Sequence, residues 1–206
     1  VSYENTLKAF IRNNEPFIYV DHAYFKRGYQ FGNFRICYKN LHHSRLDERP
    51  NDRRLMWCPQ LHPWRKEGKH IVVVPPTGSW HKVIGFNMDW GNRMCEQLAK
   101  HTKMPIVHLT KKGGFSDALR KAHAVVVHCS TAGMEAIVSG VPVFCEDLCP
   151  ASPVGLKSTE LHRIEDPWLP TDEERHKWLN SLCYANWNVK EFHKIPEAYA
   201  RYLGSN

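Results

Sequence analysis

The chain predicts an α/β fold built on a parallel sheet, and three observations carry that expectation. Apolar runs rich in β-branched residues at 71–74, 124–128 and 141–145 have the length of strands buried on both faces. Stretches with helical spacing lie between them. Short glycine- and proline-rich turns separate the two kinds of segment, as at Pro75-Pro76-Thr77-Gly78 and Lys111-Lys112-Gly113-Gly114.

Three segments are expected in order. Residues 1–66 form a small N-terminal α/β segment. An amphipathic stretch holds Leu7, Phe10 and Ile11, and the run Phe17-Ile18-Tyr19-Val20 reads as a strand ending in Asp21-His22. Phe34, Ile36 and Tyr38 alternate as a second strand, and the polar, basic stretch 42–66 reads as a surface connection. Residues 67–159 hold the sheet: a strand at 71–74, a helix over 89–101 through Met94 and Leu98, and a strand at 105–109. A short helix over 115–123, a strand at 124–128, a helix over 134–139 ended by Gly140 and a strand at 141–145 follow. Residues 160–206 predict C-terminal helices that pack back on the core. Thr171 is a natural N-cap with Glu174 three residues on, and Trp178, Leu179 and Leu182 give that helix its apolar face. A second helix from about Val189 carries Phe192, Tyr199 and Leu203.

Composition narrows the class of function. At 206 residues, 42% hydrophobic and 24% charged, the chain is neither disordered nor fibrous. Lys and Arg outnumber Asp and Glu by 28 to 21, and the net charge of +7 favours anionic partners. No apolar run approaches the roughly 18 residues of a membrane span, so no membrane partner is expected. Seven cysteines without a CxxC pair fit a reduced, cytoplasmic setting. His42, His43, His123 and His128 lack metal-ligand spacing, so no metal is expected.

The chemistry concentrates in VVVHCSTAGMEAIVSGVPVF, residues 125–144. A buried strand ends at His128, small residues turn the chain, and a helix begins near Thr131. Backbone N–H groups and the positive helix end then face the carboxyl edge of the sheet, where a phosphate can dock. Ser130 and Thr131 add hydroxyl donors, Gly133 permits close approach, and Glu135 is placed to accept from ribose hydroxyls. The same residues also suit a tight capped turn that holds no ligand.

This run resembles the donor-binding half of GT-B glycosyltransferases and of the related UDP-N-acetylglucosamine 2-epimerases. The matching positions are Ser130, Thr131, Gly133, Glu135, Gly140 and Pro142, and the preceding GGFSDALRKAHAVVVH, with Asp117 and Ala118, is similar too. The resemblance covers about 69–150 and implies a Rossmann-like parallel sheet, half of a GT-B fold, whose turn holds a donor diphosphate and whose acid holds the ribose. The continuation through CEDLCPASPVG and WLNSLCYANWNVKEF is similar to bacteriophage and prophage proteins with this same domain. GT-B enzymes have two such domains, and residues 1–66 are too few for the second. A reduced enzyme, a missing upstream domain and a fold kept for binding alone all fit that departure.

Two further stretches complete the candidates. The loop 75–86 offers Thr77, Gly78, Ser79, His81 and Lys82 to donor phosphates, with Lys82 as a point charge and no Walker A spacing; a solvated loop fits as well. After the first strand, Asp21 and His22 at a sheet edge suit a general base for an acceptor hydroxyl, or a structural pair. Lys26, Arg27, Arg35 and Lys39 interleave with Tyr24, Phe25, Tyr29 and Phe34. That pattern can track a nucleic-acid backbone, or clothe an amphipathic strand pair. Asp147 with Ser152, in the loop after the 141–145 strand, can meet a donor sugar.

The resulting expectation is a glycosyltransferase that moves a sugar from a nucleotide-diphosphate donor, a UDP-sugar first, to an acceptor hydroxyl on modified phage DNA. It needs no further cofactor. The alternative is a non-catalytic nucleic-acid-binding or assembly protein that retains half of the fold. Donor base, sugar and stereochemistry stay open.

Overall fold

The structure is a computed structural model that describes residues 3–57, 59–76, 83, 85, 88–109 and 114–203. The first described elements are α1 (Tyr3–Arg12), β1 (Ile18–His22), β2 (Asn33–Tyr38), α2 (Asp52–Trp57) and β3 (His70–Val74). Next come α3 (Trp90–Leu98), β4 (Ile106–His108), α4 (Phe115–Leu119), β5 (Ala122–Val127), α5 (Thr131–Val138), β6 (Val143–Cys145) and β7 (Leu156–Lys157). The last are α6 (Asp172–Tyr184), β8 (Asn186–Asn188) and α7 (Ile195–Leu203). The chain divides into two compact units, one of Gln60–His176 and one of Val1–Pro59 with Lys177–Asn206.

The Gln60–His176 unit is α/β and Rossmann-like. Its five strands are all parallel and stand in the order β4-β3-β5-β6-β7. The apolar runs are strands because both faces of this sheet are covered: Val72, Val73, Val125, Val126 and Val127 have no exposed surface. Alternation sorts them between two layers. Ile71, Val73, Ala124 and Val126 join Trp90 and Leu98 of α3 in one core, with Leu161 and Ile164 beyond them. Val127, of the opposite parity, meets α5 instead: a Cβ on Gly133 would stand 3.0 Å from its Cγ1.

Two devices close this unit. Gly140 ends α5 at φ +74°, and a side chain there would collide with the carbonyl of Pro63. Arg175, 1% exposed, donates through Nη2 to the carbonyls of His62 (2.7 Å) and Ile137 (2.8 Å) and stacks 4.1 Å from the Trp64 ring centre.

The other unit is a three-stranded antiparallel sheet, β1-β2-β8, with β1 and β2 in register from Ile18↔Tyr38 to His22↔Phe34. Its ends belong together because β8 pairs with β2, at Asn33↔Asn188 and Arg35↔Asn186. Fully buried Asn186 accepts at Oδ1 from the backbone N–H of Tyr24 (2.8 Å), and Tyr199 donates its hydroxyl to the Ile36 carbonyl (2.5 Å). The segments therefore differ from the expected 1–66, 67–159 and 160–206. Residues 60–66 and 160–176 belong to the parallel-sheet unit, whereas 177–206 complete the N-terminal one and include a strand as well as helix. The stretch expected as a surface connection contains α2, with Arg53 and Trp57 buried.

Within this unit Ser181 fastens the 43–47 segment to α6. Its Oγ accepts from the Asp47 N–H (3.0 Å), donates to the Arg45 carbonyl (3.2 Å) and lies 2.7 Å from Nε2 of His43. Burial pushes the His43 pKa from 6.5 down to about 4, against the opposing pull of Asp47. Unfolded His43 therefore binds a proton at a higher pH than folded His43. The stability it permits above pH 6.5 falls away as pH drops toward 4. A His43→Gln variant is expected to show a flatter decline of the urea midpoint over that window than the parent chain.

Candidate functional site

All five parallel strands present their carboxyl ends on one edge, and the strand order reverses between β3 and β5. Counted within the sheet, the second strand lies on one side of the first and the third lies on the other. Chain leaving β3 therefore feeds α3 on one face, while chain leaving β5 feeds α5 on the opposite face. In open α/β sheets such a reversal of strand order marks the part of the carboxyl edge where ligands bind.

The wall after β5 is built from its sequence in a simple way. Ser130 is extended (φ −100°, ψ 150°) and caps α5, its Oγ accepting from the Ala132 N–H at 3.2 Å. That acceptor role leaves the hydroxyl proton able to donate to an anion. Thr131 and Glu135, one turn apart on the same helix face, are both half-buried, whereas Ala132, Gly133, Ala136 and Ile137 are turned inward. Gly133 acts differently from the expected cradle position. A Cβ there would meet Cys149 Sγ and Val127 Cγ1 at 3.0 Å and Ala151 at 3.2 Å, so the glycine lets α5 lie close on β5.

Residues that the sequence did not mark as site residues stand beside these. His128, of the same parity as Val126, meets the Trp90 ring edge-on at 5.5 Å between centres. Burial lowers its pKa, with Glu146 pulling the other way, so the imidazole is neutral near pH 7 and can donate or accept without adding fixed charge. The Glu146 N–H donates to the His128 carbonyl (3.2 Å), and its carboxylate accepts from Ser158 Oγ (2.6 Å). Strand-end position is the signal that points to both.

The loop after β6 continues the same wall. Cys149 Sγ donates to the Ser130 carbonyl at 3.5 Å, which ties this loop to the α5 cap. Beyond it lies a cavity of 420 Å³ whose lining includes Asp147, Ser152, Lys157, Glu160 and the half-exposed Trp168. Ser152 Oγ donates to the Asp147 carbonyl (3.0 Å), and Lys157 Nζ stands 3.4 Å from the Asp147 carboxylate. Asp147 and Ser152, paired in the sequence, thus line one cavity. Thr77, Gly78, Ser79, His81 and Lys82 lie outside the described residues.

The first-strand candidates form a different arrangement, inside the other unit. Asp21 Oδ2 accepts from Arg35 Nη2 (2.6 Å) and from the Tyr19 hydroxyl (2.9 Å), and Oδ1 accepts from the His22 N–H (2.7 Å). Arg35 is buried and also donates to the carbonyls of His22 (3.0 Å) and Leu41 (3.2 Å). This pair is an internal brace, with the His22 side chain exposed beside it. Nor do the four cations form one strip. Arg35 points inward, Arg27 is exposed and donates to the Ala23 carbonyl (3.1 Å), and Lys26 reaches the Met56 carbonyl (3.2 Å). Exposed Lys39 stands 5.8 Å from the Tyr38 ring centre. The half-buried rings of Phe25 and Phe34, with buried Tyr24, are not free stacking surfaces: Phe34 packs edge-on against Phe192 at 5.6 Å.

No family model, curated protein or solved structure matches the chain. Among the described residues no helix is long and apolar enough to cross a membrane, and no group of three or more His, Cys, Asp or Glu is gathered to hold a metal ion.

Removing the carboxylate charge from the brace leaves a buried guanidinium without its counter-ion. Asp21→Asn is expected to lower unfolding stability by about 2–4 kcal/mol in urea titration.

Proposed function

We propose that the Gln60–His176 unit binds a nucleotide-diphosphate sugar and that the chain is a glycosyltransferase using it as donor. The observation that supports this reading is the placement of a Ser-capped helix at the reversal of strand order. There the positive amino end of α5 and the Ser130 and Thr131 hydroxyls share the carboxyl edge of the sheet. In this reading the diphosphate lies against Ser130 and Thr131, and Glu135, on the same helix face one turn on, accepts from the ribose. The sugar occupies the adjoining cavity, where Trp168 supplies an apolar ring and Asp147 a carboxylate for its hydroxyls.

Transfer from such a donor develops negative charge on the departing diphosphate. Preorganised amides and hydroxyls stabilise that charge without rearranging, which is where a helix end contributes most. Neutral His128 can donate a hydrogen bond to the same group. The acceptor proposed is a hydroxyl on an anionic polymer, modified phage DNA, in keeping with the net charge of +7. Asp21, bound by Arg35, takes no part.

Calorimetry with UDP-glucose, and with GDP- and CDP-sugars beside it, tests the donor site. One of them is expected to bind, and Ser130→Ala with Glu135→Ala is expected to weaken that binding at least about tenfold, the loss of two hydrogen bonds to charged groups. Equal affinity in parent and double variant overturns the assignment.

A further inference from the structure

The unit of Val1–Pro59 with Lys177–Asn206 contains a cavity that the proposed donor site does not use. Its volume is 270 Å³, just under the range of about 300–1,000 Å³ of small-molecule clefts, so it suits one compact ligand rather than a length of polymer. Four aromatic side chains, Tyr38, Tyr184, Trp187 and Tyr199, share the lining with Arg45, Arg49 and Lys194. Three of the rings are held in place, Tyr199 by its hydrogen bond to the Ile36 carbonyl. The Tyr184 hydroxyl donates to Asp52 Oδ1 at 2.7 Å, and Trp187 is buried under the Arg53 guanidinium, 4.6 Å from its ring centre.

The cations divide into two kinds. Arg53 also lines the cavity but is committed to Glu191, at 2.9 and 3.2 Å, and to the Asn186 carbonyl. Arg45 and Lys194 are exposed at the rim, and Arg49 stands 3.6 Å from Asp47 and 5.2 Å from the Tyr184 ring centre. Against these cations the lining offers two carboxylates, Asp47 and Glu197. His43 adds no charge near neutrality, since burial holds it unprotonated. A ring-bearing anion matches this lining: the half-buried Tyr38 and Tyr184 rings flank a planar base, the rim cations take a phosphate, and the carboxylates accept from ring N–H or sugar hydroxyls.

We infer that this cavity is a binding site for a single nucleoside monophosphate group, supplied as a free mononucleotide or as the phosphorylated end of a nucleic-acid strand. It is separate from the donor site and does not depend on it.

The test is calorimetric titration of the full chain with the four ribonucleoside monophosphates, with their nucleosides and inorganic phosphate as single-feature probes, and with a 5′-phosphorylated hexadeoxynucleotide. At least one monophosphate or the oligonucleotide is expected to bind more tightly than any nucleoside or phosphate alone. Charge reversal at two exposed rim positions, Arg45→Glu with Lys194→Glu, is expected to weaken that binding about tenfold or more, while Ser130→Ala with Glu135→Ala leaves it unchanged. Preference for the oligonucleotide identifies a strand end as the source, and equal or better binding of the mononucleotide identifies the free molecule. Loss of monophosphate binding in the Ser130/Glu135 variant alone overturns this site while leaving the donor site standing. Absence of binding by every monophosphate and by the oligonucleotide, or equally tight binding of phosphate alone, also overturns it.

Discussion

The reversal of strand order between β3 and β5 is the constraint from which the parallel-sheet unit follows. Parallel strands need crossover connections, and those crossovers keep one hand. With β4 on one side of β3 and β5 on the other, the connections must lie on opposite faces of the sheet. The parity of the strands shows the consequence: Ile71, Val73, Ala124 and Val126 face α3, while Val127 faces α5. The chain leaving β5 turns into α5 at this reversal, on the carboxyl edge of the sheet. The small residues of the β5–α5 turn serve two needs there. Ser130 satisfies an amide that would otherwise lack a partner, and Gly133 lets the helix approach closely enough for Cys149 and Ala151 to pack behind it.

Buried arginine is the second organising feature, and it alters what the charge of the chain means. Arg35, Arg53 and Arg175 are each at most 8% exposed, and each donates to backbone carbonyls and to one carboxylate. Each also lies over an aromatic ring: Tyr19, Trp187 and Trp64 respectively. Guanidinium suits this task because its planar fork supplies several donors while its face remains weakly hydrated. Part of the basic composition is therefore structural cement. Interleaved aromatic and basic residues suggest a nucleic-acid surface in sequence, yet the same interleaving arises when an arginine is folded inward onto a ring.

The parts of the fold legible in the sequence are those set by local rules. Uninterrupted β-branched runs marked β3 and β5, and Thr171 with Glu174 marked the start of α6 through a reciprocal cap, with Glu174 N–H donating to Thr171 Oγ1 at 3.2 Å and Thr171 N–H to Glu174 Oε2 at 2.7 Å. What stayed hidden depended on partners distant in the chain. Strands β7 and β8 are too short for a period to show, and β8 exists because β2 offers it an edge. The inward turn of Arg35 depends on Asp21 fourteen residues away, and alternation alone assigned it to the basic face. The domain boundaries were missed for the same reason, since the pairing of the chain's two ends leaves no local trace.

For the candidate site the division is similar, and it bears on how such sites are recognised. Ser130, Thr131 and Glu135 were visible because a strand–turn–helix motif is contiguous. His128 and Glu146 became relevant only when β5 and β6 were placed side by side, with Val127 opposite Cys145. One property of His128 could not come from residue type at all. An imidazole is an ordinary cation in mildly acidic water, but partial burial beside Trp90 disfavours its charged form more than Glu146 restores it. In the proposed donor site, a neutral histidine beside the α5 amino end would offer an anion oriented dipoles with no fixed countercharge at that wall. Such a wall can stabilise charge as it develops on a departing group without holding that group tightly afterwards, because dipoles preorganised by the fold act most strongly at short range and leave no net ion pair to break.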